Sequence, residues 1–456
     1  MDRALDTETI KLLEDAADRL SRNFSALPTL ERAADAPRIA DTLNAVAQRM
    51  ADNYPYFHPL YAGQMLKPPH AVARLAYALA MFINPNNHAL DGGRASSAME
   101  KEAVAEIASM FGWKESLGHL CGGGTVANLE ALWVAGQLHP GKKVLASSQA
   151  HYTHGRISGV LKIPFASVDC DANGRMDIKA LEEQIRAGDS GCVVATLGTT
   201  ATGSVDPLPE ILELKAKYQF RLHVDAAYGG YFKLAGNLAA EAKTAFELIA
   251  HADSIVIDPH KHGLQPYGCG CVLFKDCEVG RLYKHDSPYT YFTSSGDLHL
   301  GEISLECSRA GASAVALWAT QRLLPLHPGG EFAQGLSACR DAALAFHDLL
   351  ATDGRFITAF PPELDIVVWA PRAKRTSEAS LLARRIFDES AKRGLHLALA
   401  TLPAKMFAAS ATQAGMEMDG ETLTCLRSVL MKPEHKQWVL KIYAILDAAT
   451  AQVMPR

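Results

Sequence analysis

The sequence predicts an α/β fold on a mostly parallel sheet, with a smaller α/β unit behind it and a helical arm in front. Three observations carry this. From about residue 96 to 325, helical periodicity alternates with short β-branched runs. Those runs are near-continuously apolar, as strands buried on both faces are. The length, 456 residues with 48% hydrophobic, exceeds one compact domain.

Residues 1–57 place Ile10, Leu12, Leu13, Ala16 and Leu20 at helical spacing with few turn signals. An arm with so little core of its own is expected to pack on a partner subunit, giving a homodimer. Residues 58–326 form the large unit, with helices over 97–111, 125–137, 178–187 and 208–218. Its strands are expected at 143–146, 191–196, 221–224, 255–257 and 270–274. The Leu- and Pro-containing stretch 323–330 reads as a linker. Residues 327–456 then form the small unit, with helices over 331–351, 377–393 and 434–451 and a strand over 364–369.

Composition excludes several classes. With 45 basic against 50 acidic residues, a net charge of -5 and no basic block, nucleic acid is not an expected partner. The first residues show no basic stretch followed by an apolar one, and no run of about 18 uncharged apolar residues occurs, so neither signal peptide nor membrane span is expected. Nine cysteines scattered from Cys121 to Cys425 form no disulfide framework and fit a reducing cytoplasm. Cys269-Gly-Cys271 lacks a second ligand pair, so no metal is expected.

Ligands of such sheets sit at the carboxyl ends of the strands. The apolar run 255–257 ends in Asp258-Pro-His260-Lys261, and the run 221–224 ends in Asp225-Ala-Ala227. A lysine for a Schiff base and an aspartate to hold a pyridine nitrogen protonated are what pyridoxal phosphate chemistry requires. Gly122, Gly123, Gly124 and Thr125 open a helix, and their backbone N–H groups could cradle a phosphate; the alternative is a glycine turn with a threonine cap. His151 follows a strand and could stack on a planar ring or serve as a structural hydrogen bonder. Thr199 and Thr200 could bond a ligand oxygen or the Asp225 carboxylate. The polar, aromatic stretch 283–308 reads as a mobile loop or an intersubunit segment, in which Tyr289 or Tyr291 could act as a general acid or as a dimer contact. Arg309 could clamp a carboxylate or bridge carboxylates within the structure.

These residues together resemble the group II pyridoxal-phosphate-dependent amino-acid decarboxylases, of the fold-type I aminotransferase superfamily. The resemblance runs from about Tyr56 to Leu326, strongest at His223–Ala227 and Asp258–Lys261. It implies that Lys261 binds the cofactor covalently, Asp225 pairs with its ring nitrogen, His151 stacks on one ring face and Ala227 packs on the other. Gly123, Gly124, Thr125 and His260 would lie near the phosphate, and Thr200 would support the cofactor hydroxyl or Asp225. One of Tyr289 and Tyr291 would return the proton. The segment around Gln64 would contribute to the substrate pocket, and that around His88 would reach a neighbouring subunit's site.

His262-Gly263 stands where aromatic amino-acid decarboxylases commonly carry Trp, a form closer to glutamate and archaeal tyrosine/aspartate decarboxylases. Val126 stands where Glu is usual. The expected reaction is loss of CO2 from an L-amino acid, aromatic or acidic. A carbon–carbon lyase, which Lys67, Arg94 and Lys284 keep open, and an aldehyde synthase are the competing readings. A non-enzymatic binding protein is the reading from another class, against which Lys261, Asp225 and His151 together speak.

Overall fold

The computed structural model describes residues 8–28, 35–284 and 300–454. Two helices lead, α1 (Ile10–Arg22) and α2 (Ala36–Met50). Asp35 caps α2 by accepting from the Arg38 N–H at 3.2 Å, next to a proline in the first turn. Neither helix buries a residue completely, and Ile39, Leu43, Val46 and Met50 of α2 are all exposed. Two further helices follow, α3 (Ala71–Met81) and α4 (Arg94–Met110).

The large sheet then begins at β1 (Leu117–Cys121), followed by α5 (Gly124–Leu138), β2 (Lys143–Ser147), α6 (Thr153–Leu161) and β3 (Phe165–Val168). Next come α7 (Ile178–Ile185), β4 (Ser190–Thr196), α8 (Leu208–Tyr218) and β5 (Arg221–Asp225). The sheet is completed by α9 (Ala240–Leu248), β6 (Ser254–Ile257) and β7 (Gly270–Phe274). The strand order is β1-β7-β6-β5-β4-β2-β3, and only β7 runs against the others.

Side chains alternate across β4, as a strand's two-residue period requires. Val193 and Ala195 join a core with Val104 and Ile107 of α4 and Ile211 of α8, while Cys192 and Val194 pack with Leu132 of α5 and Ile157 of α6. The sheet is therefore covered on both faces, which is why its strands read as unbroken apolar runs.

After α10 (Gly311–Leu323) and α11 (Glu331–Thr352) the chain builds a second sheet from β8 (Phe356–Thr358) and β9 (Ile366–Pro371). It continues through α12 (Thr376–Lys392), β10 (Ala398–Pro403), α13 (Ala408–Gln413), β11 (Thr422–Val429) and α14 (His435–Val453). This four-stranded sheet is antiparallel throughout, in the order β10-β11-β9-β8. Phe346 of α11, Trp369 of β9, Ile386 of α12 and Ile442 of α14 form its core.

The fold class is the expected one, with five strands of the large sheet within a residue of their expected bounds. The structure adds β1 and β3 there. In the second sheet it adds β8, β10 and β11, and starts the expected strand at Ile366, two residues later than anticipated.

Candidate active site

The carboxyl ends of the parallel strands converge on a cavity of about 260 Å³. Because β4, β5 and β6 pair in parallel, Thr196, Asp225 and the turn after Ile257 open on the same edge. That turn is closed by the Lys261 N–H donating to the Asp258 carbonyl at 2.9 Å. It presents the Lys261 ammonium to the cavity, 2.9 Å from Asp258 Oδ2. His260 and Ala227 line the same cavity.

Asp225 stands opposite and is buried. Its Oδ2 lies 2.8 Å from His154 Nε2 and accepts from Asn128 Nδ2 at 3.2 Å; its Oδ1 accepts from the Ala227 N–H at 3.1 Å. Burial raises this carboxyl's pKa, but the hydrogen bond and charge of His154 outweigh it and hold the group well below the usual carboxylate range. The chain of contacts continues from Asn128 Oδ1 to His223 Nε2 at 2.8 Å and from His223 Nδ1 to Ser254 Oγ at 2.9 Å. Burial, then the neighbouring His154, push His223 down to about 3, so it is a neutral link. A carboxylate kept ionised inside the protein requires a cation, and a protonated pyridine nitrogen is one.

The glycine turn follows β1. Gly123, with φ of +140°, caps α5, and its carbonyl accepts from the Val126 and Ala127 N–H groups at 3.0 Å each. Thr125 lies inside the first turn and is not the cap. The first N–H groups of α5 have no acceptor within the helix and face the cavity side with its positive dipole end. A Cβ on Gly124 would lie 2.7 Å from Asp258 Oδ2, so a side chain there would fill the cradle.

His151, half-buried, lines the cavity, its Nδ1 2.8 Å from Thr153 Oγ1; burial pulls its pKa down. Thr200 also lines it, and its carbonyl accepts from Arg427 Nη2 at 2.6 Å.

Three expected site residues lie elsewhere. Arg309 is buried behind the site, 2.6 Å from Glu100, with the Leu120 and Asn87 carbonyls as further acceptors. It is a bridge between the start of α10, α4 and β1 and not a lining residue of the cavity. Gln64 accepts from Arg427 at 3.2 Å and lines a separate crevice with Tyr61 and His396. His88, partly set against Gly92, does not line the cavity either. Tyr289 and Tyr291 lie outside the described residues.

Asn128, His154 and Asp258 are site residues beyond those expected from the sequence. Asn128 is four residues after Gly124, on the same face of α5, and His154, in the first turn of α6, is three after His151, which precedes that helix. Asp258 stands three residues before Lys261 in the same turn. Those spacings were the available signals.

The donor set fits pyridoxal phosphate. Buried polar atoms without a hydrogen-bond partner among the described residues cluster at the cavity: Thr196 Oγ1, Asp258 Oδ1 and His260 Nδ1. They stand beside a lysine, an ionised aspartate and a helix N-terminus cleared of side chains.

Comparison with known proteins agrees. Residues 135–371 match the model of the pyridoxal-dependent decarboxylase conserved domain. The chain is 29% identical to the L-tyrosine decarboxylase of Enterococcus faecium, over 77% of this chain and 75% of that protein. It is likewise 29% identical to the aspartate 1-decarboxylase of Aliivibrio fischeri, over 68% of this chain and 63% of that protein. A crystal structure of Oryza sativa TDC with PLP and tryptamine superposes over the full length of both chains with a TM-score of 0.78 at 18% identity, which shows the shared fold. With a family match over half the chain and a cavity whose donors suit the cofactor, the chain belongs to the pyridoxal-dependent decarboxylase family and is a pyridoxal-phosphate-dependent amino-acid decarboxylase.

Proposed function

We propose that this cavity removes the α-carboxylate of an L-amino acid of the tyrosine or aspartate class, with Lys261 as the covalent anchor of the cofactor. The observation that carries the assignment is the buried, ionised Asp225 facing the Lys261 ammonium across one cavity. Bound there, pyridoxal phosphate supplies an electron sink for the bond that breaks.

The chain's own groups do the rest. Asp225, charged through His154, holds a proton on the ring nitrogen. His151, at the cavity wall and neutral through burial, offers a flat face for stacking, with Ala227 on the opposite side. Gly123, Gly124, Thr125 and His260 receive the phosphate at the α5 N-terminus, and Thr200 supports the ring hydroxyl. Asp258 receives the Lys261 ammonium and keeps it oriented while the amine is free. Tyr289 or Tyr291 returns the proton to the substrate carbon. The tyrosine and aspartate classes come from the names of the relatives above.

The exposed apolar face of α2 supports a homodimer in which this arm covers a partner. The division at residues 57 and 326 into arm, cofactor unit and small unit belongs to the same reading, as does a cytoplasmic location; no helix among the described residues is long and apolar enough to cross a membrane.

The test is to load the protein with pyridoxal phosphate and offer the common L-amino acids singly, measuring CO2 and amine by mass spectrometry. CO2 with the matching amine from tyrosine or aspartate is the expected result. Aldehyde and ammonia in place of amine, or no CO2 from any amino acid, would overturn it.

A further inference from the structure

A second crevice, of about 680 Å³, lies on the other side of the turn that carries Lys261. His262 forms part of its wall, one residue from the lysine of the active-site cavity. The crevice gathers four distant stretches: the segment before α3, the residues after Lys261, the joint between α10 and α11, and the start of α14. Its volume is that of a site for a small organic molecule.

Two lysines define its chemistry. Lys432 is 4% exposed, and its Nζ donates to the Tyr61 carbonyl at 2.7 Å. Lys67 Nζ donates to the Met431 carbonyl at 3.1 Å. Among the described residues neither ammonium has a carboxylate within ion-pair distance, and each has donors beyond the one bond it makes. Burial, and then the charge of Lys67, push Lys432 down to about 7; burial also lowers Lys67. The lining carboxylates, Glu331 and Glu434, are exposed, and Lys436 is taken by Asp341 at 2.9 Å.

A third observation is independent of the lysines. His262 is 1% exposed, its Nε2 is 3.1 Å from Asp365 Oδ2, and its Nδ1 has no hydrogen-bond partner among the described residues. The remaining wall is apolar, from Leu264, Leu324, Phe332 and Leu336. Two neighbouring lysines, one buried and one partly buried, with no carboxylate in ion-pair contact among the described residues, repel each other at a cost that a bound anion offsets.

We propose that this crevice is a second ligand site, for a small organic anion whose carboxylate or phosphate is held by Lys67 and Lys432 and whose apolar body lies against Phe332 and Leu336. Its chemistry differs from that of the first cavity, which offers an ionised aspartate and a reactive lysine to an amino acid and its cofactor.

The experiment titrates the cofactor-loaded protein by calorimetry with 3-phenylpropionate and, separately, phenyl phosphate, neither of which carries an amine to react at the active site. Binding of either probe is expected. Lys67→Met and Lys432→Met should each weaken it about tenfold or more, the loss expected for a charge-assisted hydrogen bond. Which probe binds tells the headgroup. Should a variant not fold, the wild type answers instead: the bound probe is expected to protect Lys67 from acetic anhydride, read by peptide mass spectrometry. Affinity unchanged in both variants, no binding of either probe at millimolar concentration, or no protection of Lys67 would each overturn the proposal.

Discussion

His154 Nε2 lies 2.8 Å from Asp225 Oδ2, both side chains buried, so an imidazole sets the charge of the carboxylate that faces the cofactor cavity. His154 does not line that cavity and acts through Asp225. Replacing it with leucine removes one charge-assisted hydrogen bond, and kcat/KM is expected to fall about 10- to 100-fold. Cofactor retention on dialysis, followed by the visible band, should fall in parallel. His154→Gln, which keeps a donor, should recover part of both. Full retention and activity in the leucine variant would remove His154 from the site.

Lys261→Ala is expected to abolish CO2 release from a folded protein. The side chain is 20% exposed and lines the cavity, so its truncation widens that cavity and is expected to leave the fold intact. Its loss leaves the buried Asp258 carboxylate without its 2.9 Å partner, a cost of about 1–3 kcal/mol. Denaturant unfolding measures that cost, and normal CO2 release would overturn the covalent assignment.

Gly270→Ala tests the packing behind the proposed phosphate cradle. A Cβ there would sit 2.6 Å from Gly123 Cα and 2.5 Å from its carbonyl carbon, and neither backbone has a flexible end to move. Overpacking of this kind costs about 1–3 kcal/mol. A lowered thermal midpoint together with weakened cofactor retention is expected, since the displaced residue is the cap of α5.

Stability should depend on pH through Lys432. Its pKa is about 7 in the folded protein against the usual 10.5. Below 7 both states carry the proton; between 7 and 10.5 only the unfolded chain does. Stability therefore rises with pH across that window. Lys432→Met should flatten the rise and be more stable than the wild type at pH 7 and below, having lost a buried charge. Thermal midpoints of both proteins from pH 6 to 10 check this.

Removal of residues 1–50 deletes α1 and α2, whose apolar faces find no full burial within one chain. A dissociated, weakly active protein is expected. Sedimentation showing an intact and active dimer would refute the role proposed for the arm.

The residues most legible in the sequence were those whose chemistry is local. Asp258–Lys261 and Asp225–Ala227 declare themselves because each follows an apolar run into a polar turn. Parallel strands with short helices between them must place those turns on one edge. β1 escaped notice because Leu-Gly-His-Leu-Cys shows neither alternation nor β-branching, and its strand character comes from pairing with β7. β10 and β11 are short runs between polar turns that become strands by antiparallel pairing, β11 with both β10 and β9.

Arg309 shows what the sequence leaves undetermined. Either a substrate clamp or an internal bridge suits a guanidinium before a helix, and the choice fell to Glu100, more than two hundred positions away in the chain. His154 and Asp225 likewise meet only because α6 packs beside α5 and strand β5 ends beneath it. Local pattern and side-chain chemistry suffice for the fold class and the cofactor, and they single out Lys261, which we propose as its anchor. Folding settles which charges are paired, which histidine supports Asp225, and where two lysines are left facing a cavity. Partnership between distant groups depends on burial and approach, and no local pattern encodes either.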